Sequence, residues 1–345
     1  MKPGIFVSYS IRSLHFLYIK MQESKENQEF KMKKILFIDS VHPMISKELT
    51  ANGFICESAL NTGKEELKKI INQYFGIIIR SRIKLDEDFL SKAEQLRFIG
   101  RVGSGLENID VKYAERKGVI CINSPEGNRD AVGEHTIGML LSMMNNLNRA
   151  DRQVRNGKWE REGNRGQEIR NKTIGIIGYG NMGSAFAQRL IGFDANVLSY
   201  DKYKKDYSDG NTREITLEEL FDSADIVSIH VPLTEETRYM CNDEFFKLFR
   251  KKIWFINTSR GPVVNTVDLV NHLKSGKLLG AALDVLEYED ASFENISGNY
   301  PGAFRYLTEC DNVILTPHIA GWTVESNIKL AKVLVDKILN RFTAI

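Results

Sequence analysis

The stretch from Lys172 to Asp201 constrains this chain most. It reads Lys-Thr-Ile-Gly-Ile-Ile-Gly-Tyr-Gly-Asn-Met-Gly, continues through a helical run at Ala185–Leu190, and closes on Val-Leu-Ser-Tyr-Asp. Gly178, Gly180 and Gly183 take the spacing Gly-x-Gly-x-x-Gly, and Asp201 follows the last of them by eighteen positions. Three glycines alone say little. Here they stand between an apolar strand (Ile174, Ile176, Ile177) and a helix, with a second strand ending on an acid. Gly178 permits the tight turn, Gly180 lets a pyrophosphate reach the backbone, and Gly183 lets helix and strand pack closely. Phosphates then sit at a helix N-terminus, where N–H groups and the helix dipole favour negative charge. Asp201 is placed to accept hydrogen bonds from ribose hydroxyls and to repel a 2′-phosphate. The expected cofactor is therefore NAD rather than NADP, with Lys202, Lys204 and Lys205 softening that preference.

A length of 345 residues exceeds one ordinary core and suits two domains. With 42% hydrophobic and 27% charged residues the composition is that of a soluble globular protein. A net charge of +2 gives no reason to expect a nucleic-acid or membrane partner. Cys56, Cys121, Cys241 and Cys310 are scattered, which suggests neither a metal site nor a disulfide framework and fits a reducing cytoplasm. Residues 1–31 read as a flexible N-terminal extension: Arg12 and His15 interrupt the apolar core that a signal peptide needs, and Gln22–Lys31 is polar and charged. Folded sequence is expected from Met32. No run approaches the ~20 apolar residues of a membrane helix.

From Met32 onward strand-like and helix-like runs alternate, the pattern of parallel sheets with helices on both faces. The first series places strands at 35–38, 54–57, 76–80, 98–101 and 119–122. A long helix is expected from Asp130 to about Asn156, its methionines serving as core filler. Six further strands follow, near 173–177, 195–200, 225–230, 253–257, 279–284 and 312–315, the count of a dinucleotide-binding fold. A final helix, Val324–Phe342, is expected to return to the first domain. The expected architecture is α/β, with two Rossmann-like or flavodoxin-like domains and a ligand cleft between them. Residues 32–129 plus 319–345 form a discontinuous substrate-binding domain, and 130–318 form the nucleotide-binding domain.

Open parallel sheets bind ligands beyond the carboxyl ends of their strands. Asn257-Thr258-Ser259-Arg260-Gly261 follows one such strand, and the Arg260 guanidinium can grip a carboxylate and adjacent carbonyl in a planar fork. Asp284–Glu289 follows the next strand, and Thr316-Pro317-His318-Ile319-Ala320-Gly321 the last. Singly, an arginine near a turn is ordinarily a solvated ion pair, and a histidine after proline a structural residue. Their coincidence at consecutive strand ends points to chemistry.

These residues, taken together, resemble the D-isomer-specific 2-hydroxyacid dehydrogenases. The matching stretches are Ile79–Arg82, Gly100–Asp110, Asn128–Thr136, Gly178–Gly183, His230–Thr234, Asn257–Gly261, Ala282–Val285 and Thr316–Gly321. The resemblance implies that His318 is the acid/base at the substrate oxygen, that Glu289 hydrogen-bonds His318, and that Arg260 binds the carboxylate and polarises the carbonyl. It implies that Asp284 contacts the nicotinamide carboxamide, and that Asn181, Met182, Asp201, Val231, Pro232, Thr258, His318 and Gly321 line the cofactor. Backbone N–H groups at Ser104 and Gly105 take the other side of the carboxylate. The long helix is the family's usual contact between subunits, so a homodimer is expected. Some residues depart from the family's habit: Leu286 and Asp290 replace phenylalanine and proline, and Leu106 and Glu107 replace valine and aspartate. The segment 291–305 reads as a surface loop, with a cover shaping the cleft as the alternative.

Within the family the chain is most like the branch acting on D-3-phosphoglycerate and phosphohydroxypyruvate, in serine biosynthesis. Arg80 and Arg82 flank Ser81 at a strand end, where two guanidiniums suit a phosphate. Glyoxylate, hydroxypyruvate and D-lactate-type substrates are the alternatives. A reading of another class is an NAD-sensing corepressor, which shares the fold and acts by binding partner proteins; turnover of a small 2-oxo acid separates the two.

Overall fold

The computed structural model describes residues 33–289 and 301–342. The extension read at 1–31, the acid Asp290 and residues 291–300 of the segment read as a loop lie outside the described residues. The end of that segment is not loop but the start of a helix, Gly302–Glu309, which buries Phe304 and Leu307. Short apolar runs become strands buried on both faces, as parallel sheets require. The first sheet has the order β2-β1-β3-β4-β5, with β1 Lys34–Phe37, β2 Ile55–Ser58, β3 Gly76–Ile79, β4 Phe98–Arg101 and β5 Ile120–Asn123. All its pairings are parallel, and the direction of winding reverses between β1 and β3. This is the flavodoxin-like order.

The second sheet runs β12-β11-β10-β9-β6-β7-β8. Its strands are β6 Thr173–Ile177, β7 Asn196–Tyr200, β8 Arg213–Glu214, β9 Ile226–Ile229, β10 Ile253–Asn257, β11 Leu278–Leu283 and β12 Val313–Leu315. Here β6 sits between β7 and β9, which is the reversal of the dinucleotide-binding fold. The six strands read from the sequence are all present. β8 is an addition, two polar residues paired to Leu198 and Ser199, and so short a segment carries no apolar period to read.

The long helix is broken, contrary to the sequence reading. It forms α1, Arg129–Met144, and α2, Leu147–Arg155, with Asn146 between them at φ 54°. Asparagine tolerates this left-handed conformation better than most residues, and the Asn146 side-chain amide donates to the Arg165 carbonyl at 3.4 Å. α1 packs on helix α3, Asn181–Arg189, and its Met139, Met143 and Met144 are buried with Ile174, Ile176 and Phe186. The methionines are therefore core filler, as read.

The last helix, α4, spans Val324–Phe342. Its Leu330, Ala331, Leu334, Val335 and Ile338 lie in the core of the first sheet, among Ile35, Phe37, Ile78, Phe98 and Ile122. Burial stabilises by roughly 1.5–3 kcal/mol for each large apolar side chain, which is what returns the chain's end to its beginning. Gly127, just before α1, meets the backbone of Leu330 so closely that a Cβ there would stand 2.5 Å from the Leu330 nitrogen. The two segments crossing between the sheets are thereby packed against each other.

Candidate active site

Both sheets turn the carboxyl ends of their strands toward one cleft of about 820 Å3. On the second sheet the glycine fingerprint opens at the point where the strand order reverses. Gly178 has φ +93°, and a Cβ on it would stand 2.6 Å from the His230 carbonyl oxygen. A Cβ on Gly183 would overlap the Gly178 carbonyl, whereas one on Gly180 would meet no protein atom. Two glycines are thus demanded by the protein's own packing, and the third leaves the approach to the N-terminus of α3 clear. The first N–H groups of that helix have no intrahelical acceptor, so the residues fit a pyrophosphate.

Asp201, at the end of β7, accepts the Tyr179 N–H on Oδ2 (2.8 Å) and the Tyr203 and Lys204 N–H groups on Oδ1 (2.9 and 3.0 Å). Burial alone would raise its pKa. The three backbone bonds and the charge of Lys204 outweigh that and hold the carboxyl below the usual carboxylate range. Of the three lysines, Lys202 pairs with Glu236 and Lys205 lies 3.9 Å from Glu214. Lys204 instead donates to the Tyr179 carbonyl at 2.8 Å, beside the fingerprint. His230, which also lines the cleft, is bonded to Ser228 at 2.8 Å, and burial pushes it down to about 3, so it is neutral.

The loop after β12 carries His318 at φ 55°, a conformation that costs a non-glycine residue about 1–3 kcal/mol. Its backbone N–H donates to the Asp284 carbonyl at 2.7 Å. The buried Asp284 carboxylate accepts the Thr316 hydroxyl (2.6 Å) and the N–H groups of Ile319 and Ala320 (2.9 Å each). His135 of α1 approaches Thr316 Oγ1 at 3.1 Å from the other side. This bracing aims the imidazole. His318 Nδ1 lies 2.7 Å from Glu289 Oε2, and Glu289 Oε1 accepts the Leu286 N–H at 2.5 Å. A carboxylate can only accept, so Nδ1 carries the hydrogen of this bond and the ring's tautomer is fixed by it.

Arg260 follows β10 on a turn built by Asn257, whose Oδ1 accepts the Ser259 N–H and hydroxyl (3.0 and 2.7 Å) and whose amide donates to the Arg260 carbonyl (3.0 Å). The guanidinium donates from Nη1 to the Ser259 carbonyl at 2.6 Å and from Nε to Glu107 Oε1 at 2.5 Å. Burial alone would raise the Glu107 pKa, but the charge and hydrogen bond of Arg260 outweigh it and hold the carboxyl below the usual range. Facing them, the Ser104 hydroxyl donates to Asn128 Oδ1 at 2.7 Å and the Ser104 carbonyl accepts from Asn123 at 2.5 Å. Among the described residues, the backbone N–H groups of Ser104 and Gly105 donate to no protein acceptor. They can receive a carboxylate.

The Arg80-Ser81-Arg82 turn divides. Arg80 and Ser81 line the cleft, with the Arg80 guanidinium stacked 4.5 Å from the Trp322 ring centre. Arg82 does not line it. Its guanidinium donates to the carbonyls of Ile38, Thr62 and Ala59 at 2.7, 2.9 and 3.3 Å, which ties strand end to loop and withdraws it from any ligand. The buried Asp39 at the end of β1 sets this split by accepting the backbone N–H groups of Arg80, Ser81 and Arg82.

Arg101, not singled out from the sequence, lines the cleft beside Arg80, and its buried Nε has no hydrogen-bond partner among the described residues. Burial and the neighbouring charges of Arg260 and Arg80 push it down to about 10, so it stays protonated at neutral pH. The available signal was a charge closing an otherwise apolar strand, Phe98-Ile99-Gly100-Arg101. Of the remaining sequence-named residues, Asn181, Met182, Val231, Pro232, Thr258, Asp284 and Gly321 line the same cleft. Gly178, Gly183, Asp201 and Glu289 stand behind it as supports.

Residues 137–320 match the family described as D-isomer specific 2-hydroxyacid dehydrogenase, NAD binding domain. A D-3-phosphoglycerate dehydrogenase of Archaeoglobus fulgidus is 33% identical over 89% of this chain, which spans 57% of that relative's length. A hydroxypyruvate reductase of Thermotoga maritima is 35% identical over 80% of the chain and 87% of the relative. Among solved structures, the D-lactate dehydrogenase of Aquifex aeolicus complexed with NAD and lactic acid superposes with a TM-score of 0.76 at 29% identity, covering 90% of this chain and 95% of that one. With that likeness carried across both sheets, and with the fingerprint, arginine and histidine on one cleft, the chain belongs to the D-isomer-specific 2-hydroxyacid dehydrogenase family of NAD-dependent oxidoreductases.

Proposed function

We propose that this protein interconverts a D-2-hydroxy acid and its 2-oxo acid, with D-3-phosphoglycerate and phosphohydroxypyruvate as the favoured pair. The observation that carries the chemistry is the His318–Glu289 pair on the same cleft as Arg260 and the dinucleotide fingerprint. NADH, when bound, supplies the hydride. Arg260, with the N–H groups of Ser104 and Gly105, binds the substrate carboxylate, and its guanidinium polarises the neighbouring carbonyl where negative charge develops. His318 gives that oxygen a proton from Nε2, and Glu289, bonded at Nδ1, holds the ring in place for the transfer. In the oxidative direction the same nitrogen takes the hydroxyl proton. Asp284 holds the His318 loop and would meet the carboxamide of a bound nicotinamide.

A phosphate is supported by Arg80 and Arg101, two cleft guanidiniums with no carboxylate within ion-pair distance among the described residues. This would place the enzyme in serine biosynthesis. Hydroxypyruvate, or glyoxylate, is the second reading, because Arg82 is withdrawn from the cleft and the hydroxypyruvate reductase is matched over more of its own length. We take residues 32–129 with 319–345 as the substrate-binding domain and 130–318 as the cofactor domain. The subunits pair through α2, and the free cysteines suit a cytoplasmic setting.

The test is NADH and NADPH oxidation with phosphohydroxypyruvate, hydroxypyruvate, glyoxylate and pyruvate. Highest kcat/KM for the phosphorylated acid with NADH is expected, and His318→Ala should lower kcat by ~100-fold or more with NADH affinity kept. Turnover of none of the four acids would leave the corepressor-like class instead.

A further inference from the structure

Glu107 reaches across the cleft from the first sheet to the second. It follows β4, its partner Arg260 follows β10, and Oε1 takes the Arg260 Nε–H at 2.5 Å. The pair is mostly shielded, at 26% exposure for the glutamate side chain and 19% for the arginine. Arg260 is held at two points, Nε by Glu107 and Nη1 by its neighbour's carbonyl. Nη2 has no protein acceptor among the described residues. It lies directly over Gly105, close enough that a Cβ there would overlap both Arg260 Nη2 and Glu107 Oε2. Among the described residues, the one guanidinium nitrogen left for a ligand therefore lies over Gly105, whose N–H, like that of Ser104, donates to no protein acceptor.

A guanidinium on a flexible stem loses this aim unless its plane is fixed. Ser259 alone cannot fix it, since one hydrogen bond leaves rotation about that contact free. The second, charged bond from Glu107 removes that freedom.

We propose that Glu107 is a positioning residue for substrate: it sets the plane of Arg260 so that Nη2 and the Ser104–Gly105 N–H groups converge on one carboxylate. This rests on the 2-oxo-acid reading of the cleft. Where aspartate is frequent in this family, the extra methylene of glutamate gives the reach to meet Nε from above Gly105. The cost is a negative charge beside the bound carboxylate, which Arg260 offsets.

The proposal is tested with wild type, Glu107→Gln and Glu107→Ala by two readouts. One is the Kd of oxalate, an unreactive carboxylate, measured by titration calorimetry on NADH-loaded protein. The other is kcat and KM with the best 2-oxo acid of the panel. Glu107→Ala should weaken oxalate and lower kcat by ~10-fold or more each, because a misplaced fork serves neither ground state nor transition state. Glu107→Gln, whose amide oxygen still accepts the Nε–H, should stay within ~3-fold on both. NADH affinity should be unchanged in both variants. Tm should be unchanged in Glu107→Gln and lower in Glu107→Ala, which leaves a shielded guanidinium unpaired, with far-UV circular dichroism at assay temperature still that of wild type. Oxalate bound by Glu107→Ala as tightly as by wild type, or more tightly, would overturn the proposal by showing that the glutamate competes with the ligand rather than aiming its receptor. If wild type turns over no 2-oxo acid yet oxalate affinity still falls in Glu107→Ala, the positioning role stands and the functional reading fails.

Discussion

At the scale of single residues, the cleft divides its arginines by what surrounds them, not by type. Arg80 and Arg82 stand two positions apart, yet one stacks on Trp322 in the cleft and the other is consumed by three carbonyl oxygens. Arg80→Ala and Arg101→Ala should each raise KM for phosphohydroxypyruvate by ~10-fold or more, the size of one charge-assisted contact. KM for glyoxylate should move by less than ~3-fold in both. Arg82→Ala should leave both KM values alone and lower Tm instead, since it orphans carbonyls. Steady-state kinetics on both acids, with a melting curve, separates these outcomes, and a selective KM effect from Arg82→Ala would return that residue to the phosphate site. The glycines and Asp201 were legible in the sequence because their roles are local: a turn, a helix start, an acid at the next strand end. Arg101, Asp39 and Glu107 were not, because a charge closing a strand looks the same whether it meets water or a partner. For Glu107 that partner lies 153 residues away.

At the scale of elements, short apolar runs alternating with helical stretches located every described strand of more than two residues, since each had to bury apolar side chains. What they missed was the break between α1 and α2. Apolar residues continue at helical spacing through it, and only backbone conformation separates Met144 from Leu147. Asn146 alone carries that change, at φ 54°. Asn146→Val should destabilise the protein by ~1–2 kcal/mol, the penalty of a β-branched side chain in left-handed backbone. Asn146→Gly should be close to neutral. Urea unfolding of both variants decides it, and a valine variant as stable as wild type would mean the two helices can merge into the single one expected from sequence. The straightened form would also swing α2 away from the loop at 163–164 that Arg149 grips, so a change in assembly should accompany any such stability.

At the scale of the whole molecule, two sheets that each bind ligands beyond their strand ends are made to face one another by the crossing segments near Gly127 and Gly321. The return of α4 to the first sheet was expected as the simplest packing of a terminal helix, but the facing of the sheets was not legible, because it depends on close backbone packing that no pattern records. One surface is left unexplained by the monomer. α2 buries none of its residues. Leu147 and Val154, seven positions apart and so on one helical face, are each 52% exposed, and Trp159 beyond them is 82% exposed. The exposed Leu147, Val154 and Trp159 are apolar side chains that an interface would cover, and a stable one needs ~1,000 Å2 or more. A second copy of the chain, presenting the same face, supplies matching chemistry through a two-fold axis. Light scattering should give twice the 39.3 kDa chain mass. Val154→Glu combined with Trp159→Glu should return the mass to that of one chain while far-UV circular dichroism stays unchanged, since neither side chain is buried within the subunit. A wild type that runs as a monomer at micromolar concentration would rule out this interface. A double variant that remains dimeric would move the contact to another face.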